Sequence, residues 1–69
     1  MAKSATIALD RIDIRILAEL QGNGRLTMTE LSERVGLSAT PCLRRVRLLE
    51  ERGVISGYVA VVDQNRVGL

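Results

Sequence analysis

The chain has no histidine, tryptophan or phenylalanine, and only one cysteine, one tyrosine and one proline among its 69 residues. Each scarcity excludes something. One cysteine cannot form an internal disulfide. With one thiol and no imidazole, a zinc site lacks its ordinary ligands, and nothing else in the chain asks for a cofactor. Single-stranded nucleic acids are held largely by stacking on aromatic platforms, which a chain with a single tyrosine cannot supply. No apolar run approaches the length of a membrane span. The opening MAKSATIA lacks the apolar stretch of a signal peptide. The reading is a cytoplasmic protein with no membrane partner.

Apolar residues at 46% and charged residues at 26% are ordinary for a soluble globular protein. A chain of this length builds one small domain, burying only about 60% of its unfolded surface. Its core must be aliphatic. Formal net charge is only +2, so any strongly basic surface has to be local.

The pattern centres on Thr27–Gly53, TMTELSERVGLSATPCLRRVRLLEERG. Thr27 with Glu30 forms a capping-box pattern: the hydroxyl accepts from the N–H of residue 30 and the carboxylate reaches back. A short helix follows to Val35, with Leu31 and Val35 on its inner face. Gly36 is the expected left-handed stop, and Ser38 the next N-cap. Pro41 falls in the first turn of the second helix, where its missing N–H costs little. Gly53 ends that helix. Two capped helices joined by Gly-Leu-Ser have the layout of a helix-turn-helix.

On a helical wheel, Ala39, Cys42, Leu43, Val46 and Leu49 fall within about 120° and form the expected buried stripe. Thr40, Pro41, Arg44, Arg45 and Arg47 lie outside it. From Ser38 to Leu49 there are three arginines and no acid, a local positive face suited to duplex DNA. Cys42, on the apolar side, reads as a small buried hydrophobe.

Upstream, residues 1–8 read as a flexible tail. Asp10 caps a helix over about residues 11–21, and Asp13 lies near the positive end of its dipole. Leu9, Ile12, Ile16, Leu17 and Leu20 share its core-facing stripe, with Ile14 outside. Gly22-Asn23-Gly24 turns the chain. Downstream of Gly53, residues 54–62 are rich in β-branched side chains and predict a short β-strand with two apolar faces. Tyr58, Val59, Val61 and Val62 are its candidate dimerisation residues. The organisation is therefore a tail (1–8), a domain (9–53, helices about 11–21, 28–35 and 39–52), and a strand with linker (54–69).

These residues resemble the DNA-binding N-terminal domain of the Lrp/AsnC (leucine-responsive, feast/famine) transcription regulators. The resemblance runs from Leu9 to about Leu69. It is carried by Leu9-Asp10 with Asp13 and Ile16-Leu17, by Gly24-Arg25, and by Glu30-Leu31 with Val35-Gly36-Leu37-Ser38. Thr40-Pro41-Cys42, Arg45-Val46-Arg47, Leu49-Glu50, Gly53, Ile55 and Gly57-Tyr58 complete it. It implies a mainly α, three-helix winged helix-turn-helix that works as a homodimer or higher homo-oligomer on double-stranded DNA. It also implies a C-terminal domain that senses an amino-acid effector, expected to be absent from this chain. Leu48 stands where the resemblance leads to a polar or basic residue.

The expected mode is major-groove docking by the second helix of the motif while the preceding helix crosses the backbone. Ser38, Ala39 and the N–H groups at that helix start face a phosphate. Thr40, Pro41 and Arg44 read base edges. Arg45 and Arg47 hold phosphates, with Thr29 a weaker phosphate contact. Two rivals remain. An enzyme is disfavoured, because there is no histidine, no Gly-rich phosphate loop and no strand-borne nucleophile; Asp10 and Asp13 suit capping better than acid–base work. A protein-interaction module on the same scaffold is the other.

Overall fold

The computed structural model describes residues 8–68 and contains four helices. These are α1 (Arg11–Gly22), α2 (Met28–Val35), α3 (Ala39–Glu51) and the short α4 (Gln64–Val67). The tail expected over residues 1–8 lies, except for Ala8, outside the described residues.

The first two helices begin as their sequences predict, each with a reciprocal capping box. At α1 the Asp13 N–H donates to Asp10 Oδ1 at 2.8 Å and the Asp10 N–H to Asp13 Oδ2 at 3.3 Å. At α2 the Glu30 N–H donates to Thr27 Oγ1 at 3.0 Å, and the Thr27 N–H to Glu30 Oε1 at 2.9 Å. Each box satisfies donors that a helix start leaves without an intrahelical partner. Gly36 stops α2 at φ 78°, and the next N–H, of Leu37, folds back onto the Ser32 carbonyl at 2.9 Å. That left-handed step turns the chain sharply enough for α3 to lie across α2.

The core is aliphatic and small: Ile16 from α1, Leu26 from the connection, Leu31 and Val35 from α2, and Cys42, Val46 and Leu49 from α3. Leu9, Ile12, Leu17, Leu20, Met28, Leu37, Val54 and Ile55 pack around it. The α1 and α2 stripes face inward as read from their spacing. Ala39 does not; at the first turn of α3 it is exposed, and Leu43 is half-buried. Leu26, in the connection before α2, is buried as well. Ser32 is buried too, its hydroxyl donating to the Thr29 carbonyl at 2.8 Å, so no polar atom is stranded.

Directional bonds tie α1 to α2. Arg15 Nη2 donates to the Arg34 carbonyl at 2.7 Å, placing a cation at the negative end of α2. Arg34 Nη1 in turn meets Glu19 Oε1 at 3.3 Å.

The predicted β-strand over residues 54–62 does not form. No strand occurs among the described residues; the segment is irregular up to Asp63, which caps α4. Two physical reasons account for the difference. The Val54 and Ile55 N–H groups both donate to the Leu49 carbonyl, at 2.9 and 3.1 Å, as part of the α3 stop at Gly53. The β-branched residues beyond them find no neighbouring strand, and a strand exists only through its ladder. Val59 and Val61 accordingly remain 90% and 97% exposed.

The α2 cap generates a stability prediction. Thr27→Ala removes one half of the box and should cost about 1 kcal/mol, lowering Tm by roughly 4–8 °C for a domain of this size. Thermal unfolding followed by helical circular dichroism measures it. An unchanged Tm would show that α2 is held by packing alone.

Candidate nucleic-acid interface

The outward face of α3 gathers most of the residues singled out from the sequence. Ser38, Ala39, Thr40, Arg44 and Arg47 are exposed, and Pro41 is half-buried at their edge. Thr29 is exposed on α2. Among the described residues neither Arg44 nor Arg47 has an acidic group within ion-pair reach, so both guanidinium groups are available to a ligand. Leu48 is exposed beside them. Two shallow grooves flank this ridge, and Arg44 and Leu48 line both. One continues to Arg52 and Asp13, the other to Thr40, Arg47 and Glu51.

The start of α3 differs from those of α1 and α2. Ser38 has the extended N-cap conformation, but its side chain makes no capping hydrogen bond. Pro41, the third residue of the helix, has no N–H. The Ala39 and Thr40 N–H groups therefore stand at a positive helix end without a side-chain acceptor.

Arg45 behaves differently from its neighbours. Its Nη1 donates to Asp10 Oδ2 at 2.6 Å and to Asp13 Oδ1 at 3.2 Å, across from α3 to the N-terminus of α1. The phosphate contact expected of Arg45 thus meets a guanidinium already engaged by two carboxylates. Sequence reasoning saw Asp10 and Asp13 only as caps. The cue to their second role is weak: two acids at the N-cap and third position of one helix, and an arginine over thirty residues away.

The electrostatic consequences follow from this pairing. The Arg45 guanidinium, then the Asp13 N–H, hold the Asp10 carboxyl below its ordinary pKa, while Asp10 raises that of Arg45. A depressed carboxyl stabilises the fold at pH values above its unfolded pKa. That contribution is lost as the pH falls through the lower, folded value, so it is fully present at neutrality. Burial pushes the Cys42 thiol above its ordinary pKa, leaving it as the inert hydrophobe its position suggested. No group of three or more His, Cys, Asp or Glu among the described residues is placed to hold a metal. No helix there is long and apolar enough to cross a membrane.

The four residues expected at a dimer contact, Tyr58, Val59, Val61 and Val62, are all exposed. Tyr58 also folds back: its hydroxyl donates to Glu50 Oε2 at 2.9 Å, and its ring edge lies over Gly24, where an added Cβ would sit 3.7 Å from Cδ1. Beneath Tyr58, an apolar groove runs between α1 and residues 54–61, floored by Leu17, Leu20, Val54 and Ile55.

Tyr58 is the only aromatic residue, so its phenol can be titrated by absorbance without interference. Burial, and then the Glu50 carboxylate, raise its pKa. The midpoint should lie above the ordinary tyrosine value, and Glu50→Gln should lower it only part of the way, because burial persists. A wild-type midpoint at the ordinary value would mean that the phenol hangs free in solution.

Comparison with known proteins agrees with this geometry. Residues 9–56 match the winged helix-turn-helix DNA-binding family. The leucine-responsive regulatory protein of Rhizobium meliloti is 60% identical over 62 residues, spanning 90% of this chain and 40% of that protein. Its Escherichia coli namesake is 62% identical over 55 residues, spanning 80% and 34%. Among solved structures, a Neisseria meningitidis transcriptional regulator in complex with L-Met superimposes with a TM-score of 0.84 at 53% identity, over 87% of this chain and 39% of that one. LrpC of Bacillus subtilis gives 0.82 at 43% identity, over 91% and 45%. The chain spans between about a third and under a half of the length of these relatives.

Proposed function

Because the chain belongs to the winged helix-turn-helix DNA-binding family, and its similarities are to leucine-responsive and AsnC-type regulators, we propose that it binds double-stranded DNA sequence-specifically as part of a transcription regulator. The carrying observation is the outward face of α3, where Arg44 and Arg47 have no acidic partner among the described residues. In this reading the leading turn of α3 enters the major groove and α2 crosses the backbone. Thr40, Pro41 and Arg44 meet base edges, and Arg44 is suited to a two-pronged bond with guanine. Arg47, and the N–H groups around Ser38 and Ala39, meet phosphates, with Thr29 reaching the backbone from α2. The amino-acid response named in the relatives is assigned to the parts of those proteins that this chain does not match. The reading needs no cofactor and no catalytic group, and its location is the cytoplasm.

Arg47→Ala should weaken binding to every duplex alike and flatten the log–log salt dependence by about 0.9 for the lost phosphate contact. Arg44→Ala and Thr40→Ala should instead change which sequences are preferred, costing roughly 1–3 kcal/mol at the affected base. Enrichment from a random duplex pool, followed by titration of the winners across a salt series, measures both effects. If these variants retain wild-type affinity and preference, α3 is not the reading element.

We further infer that the chain self-associates weakly through the exposed valines beyond Tyr58. The supporting observation is that Val59 and Val61 project almost fully into solvent beside an open apolar groove, where burial against a second copy would remove apolar surface from water. Contact by side chains replaces the strand pairing that the sequence suggested. In a two-fold dimer the two α3 helices would need to stand about 34 Å apart, one turn of DNA. Sedimentation from micromolar to millimolar concentration should show a dimer that Val59→Lys dissolves. A monomer at every concentration, unchanged by the lysine, removes this inference.

A further inference from the structure

The two acids that open α1 are used to their limit. Asp10 places Oδ1 on the Asp13 N–H and Oδ2 on Arg45; Asp13 places Oδ2 on the Asp10 N–H and Oδ1 on Arg45. All four carboxylate oxygens are thus spoken for, two by the helix start and two by one guanidinium nitrogen. Capping fixes the carboxylates relative to α1, and they in turn fix Arg45. The cluster is sheltered on one side only: the Asp13 side chain is 17% exposed and that of Arg45 34%, while Asp10 is 54% exposed. Arg45 sits directly beside Arg44 and two residues before Arg47 on the same helix and lines the same groove as Arg44, yet its guanidinium is tied to the α1 acids.

Resting on the DNA-binding reading above, we propose that Arg45 is a positioning residue for sequence recognition. Held by Asp10 and Asp13, it sets the rotation and tilt of α3 against α1, so that Thr40 and Arg44 meet the bases in a single orientation. The apolar core these helices share, with Ile16 from α1 and Cys42, Val46 and Leu49 from α3, is non-directional and tolerates small slides and rotations. Charge-assisted hydrogen bonds do not, because they demand both distance and angle. A reading helix must be held within a fraction of an ångström and roughly 10–20° to keep two-pronged base contacts. Of the four helices among the described residues, α3 is the one whose start lacks a side-chain cap; the clamp supplies a polar anchor along its length.

Two other roles for Arg45 make opposite predictions. As a phosphate contact, it would have to leave two carboxylates to reach DNA, and its loss would weaken every duplex alike. As a cation held back by an internal competitor, it would be released when the acids are neutralised, tightening every duplex alike. Positioning instead affects discrimination, since phosphate contacts carry no sequence information. The ratio of affinities for two duplexes of equal length and composition also cancels any general effect of altered charge.

The test uses the full chain and two duplexes: one recovered by wild type from a random pool, and a scrambled version of it. Binding is measured across a salt series, at a temperature where circular dichroism shows each variant folded. Arg45→Met and the double variant Asp10→Asn/Asp13→Asn should both lower the specific-to-scrambled ratio about tenfold, the equivalent of one charge-assisted hydrogen bond, with the salt slope on the scrambled duplex unchanged. Arg45→Lys keeps the charge but lacks the planar guanidinium, and should lose part of the ratio. It also decides the matter if Arg45→Met fails to fold. The proposal is overturned if Arg45→Met keeps the ratio and flattens the slope by about 0.9, the mark of a lost phosphate contact. An acid variant that keeps the ratio, or Arg45→Lys matching wild type in full, overturns it equally. Wild type that binds neither duplex is a separate result: it removes the DNA-binding reading itself, and positioning with it.

Discussion

A helix of 8 residues flanked by others of 12 and 13 has little stability alone in water, where helices shorter than about 12–15 residues are marginal. Everything else in this domain depends on the shared aliphatic core that removes this limit. Among the described residues that core has seven buried side chains, none aromatic, and its deepest members are Ile16, Leu31 and Cys42, one from each of α1, α2 and α3. Aliphatic burial drives the helices together but leaves their mutual angles loosely specified, because it is roughly proportional to area and indifferent to direction. The angles have to be settled by polar groups at the helix ends. Arg15 on the last carbonyls of α2, Arg34 on Glu19 and Arg45 on the Asp10–Asp13 pair are placed to do so.

This division of labour makes sense of a chain that carries many arginines but a net charge of only +2. Arginine serves two purposes here. Arg15, Arg34 and Arg45 are structural cations, each matched to a carboxylate or a helix carbonyl. Arg44 and Arg47 have no acid partner among the described residues and share one face. A free cation next to a held one is more useful to a DNA reader than two free ones, since the first supplies attraction and the second fixes where that attraction is aimed. Overall charge would suffice for non-specific attachment; orientation is what base contacts require.

What the sequence disclosed, and what it did not, divides by range. The Thr27–Glu30 capping box, the Asp10 cap, the left-handed Gly36, the Gly53 stop and the inward stripes of α1 and α2 depend on residues close in sequence, and the structure places them as read; the reciprocal bond from Asp13 at α1 is an addition. Ile14 lies outside its stripe and is exposed, again a local matter. The errors are non-local. Residues 54–62 have the composition of a strand, but whether a strand exists is decided by a neighbour that composition cannot show. Arg45 was grouped with its sequence neighbours because the acids that claim it lie 32 and 35 positions away. The bond from the exposed Tyr58 to Glu50 is equally unsignalled, because nothing between them shows that the chain doubles back. Even Ala39, on the right arc of the wheel, is exposed, because the arc is real but α2 and α1 do not extend over the first turn of α3. For the candidate interface on α3, then, the element and its polar side were legible, while the division of its arginines was not.

Salt shows how the two sets of arginines separate in practice. The Debye length shrinks from about 10 Å at 0.1 M to about 3 Å at 1 M, and exposed pairs lose what little they contribute. Arg34–Glu19, with Arg34 largely in solvent, belongs to that class. The Asp13–Arg45 contact is more sheltered and is reinforced by hydrogen bonds on every carboxylate oxygen, so it is screened much less. The core does not weaken under screening, because it is apolar. Rising salt should therefore detach such a domain from phosphates while α3 keeps its setting against α1. The affinity that remains would be affinity from base contacts, delivered by a helix still held at the same angle.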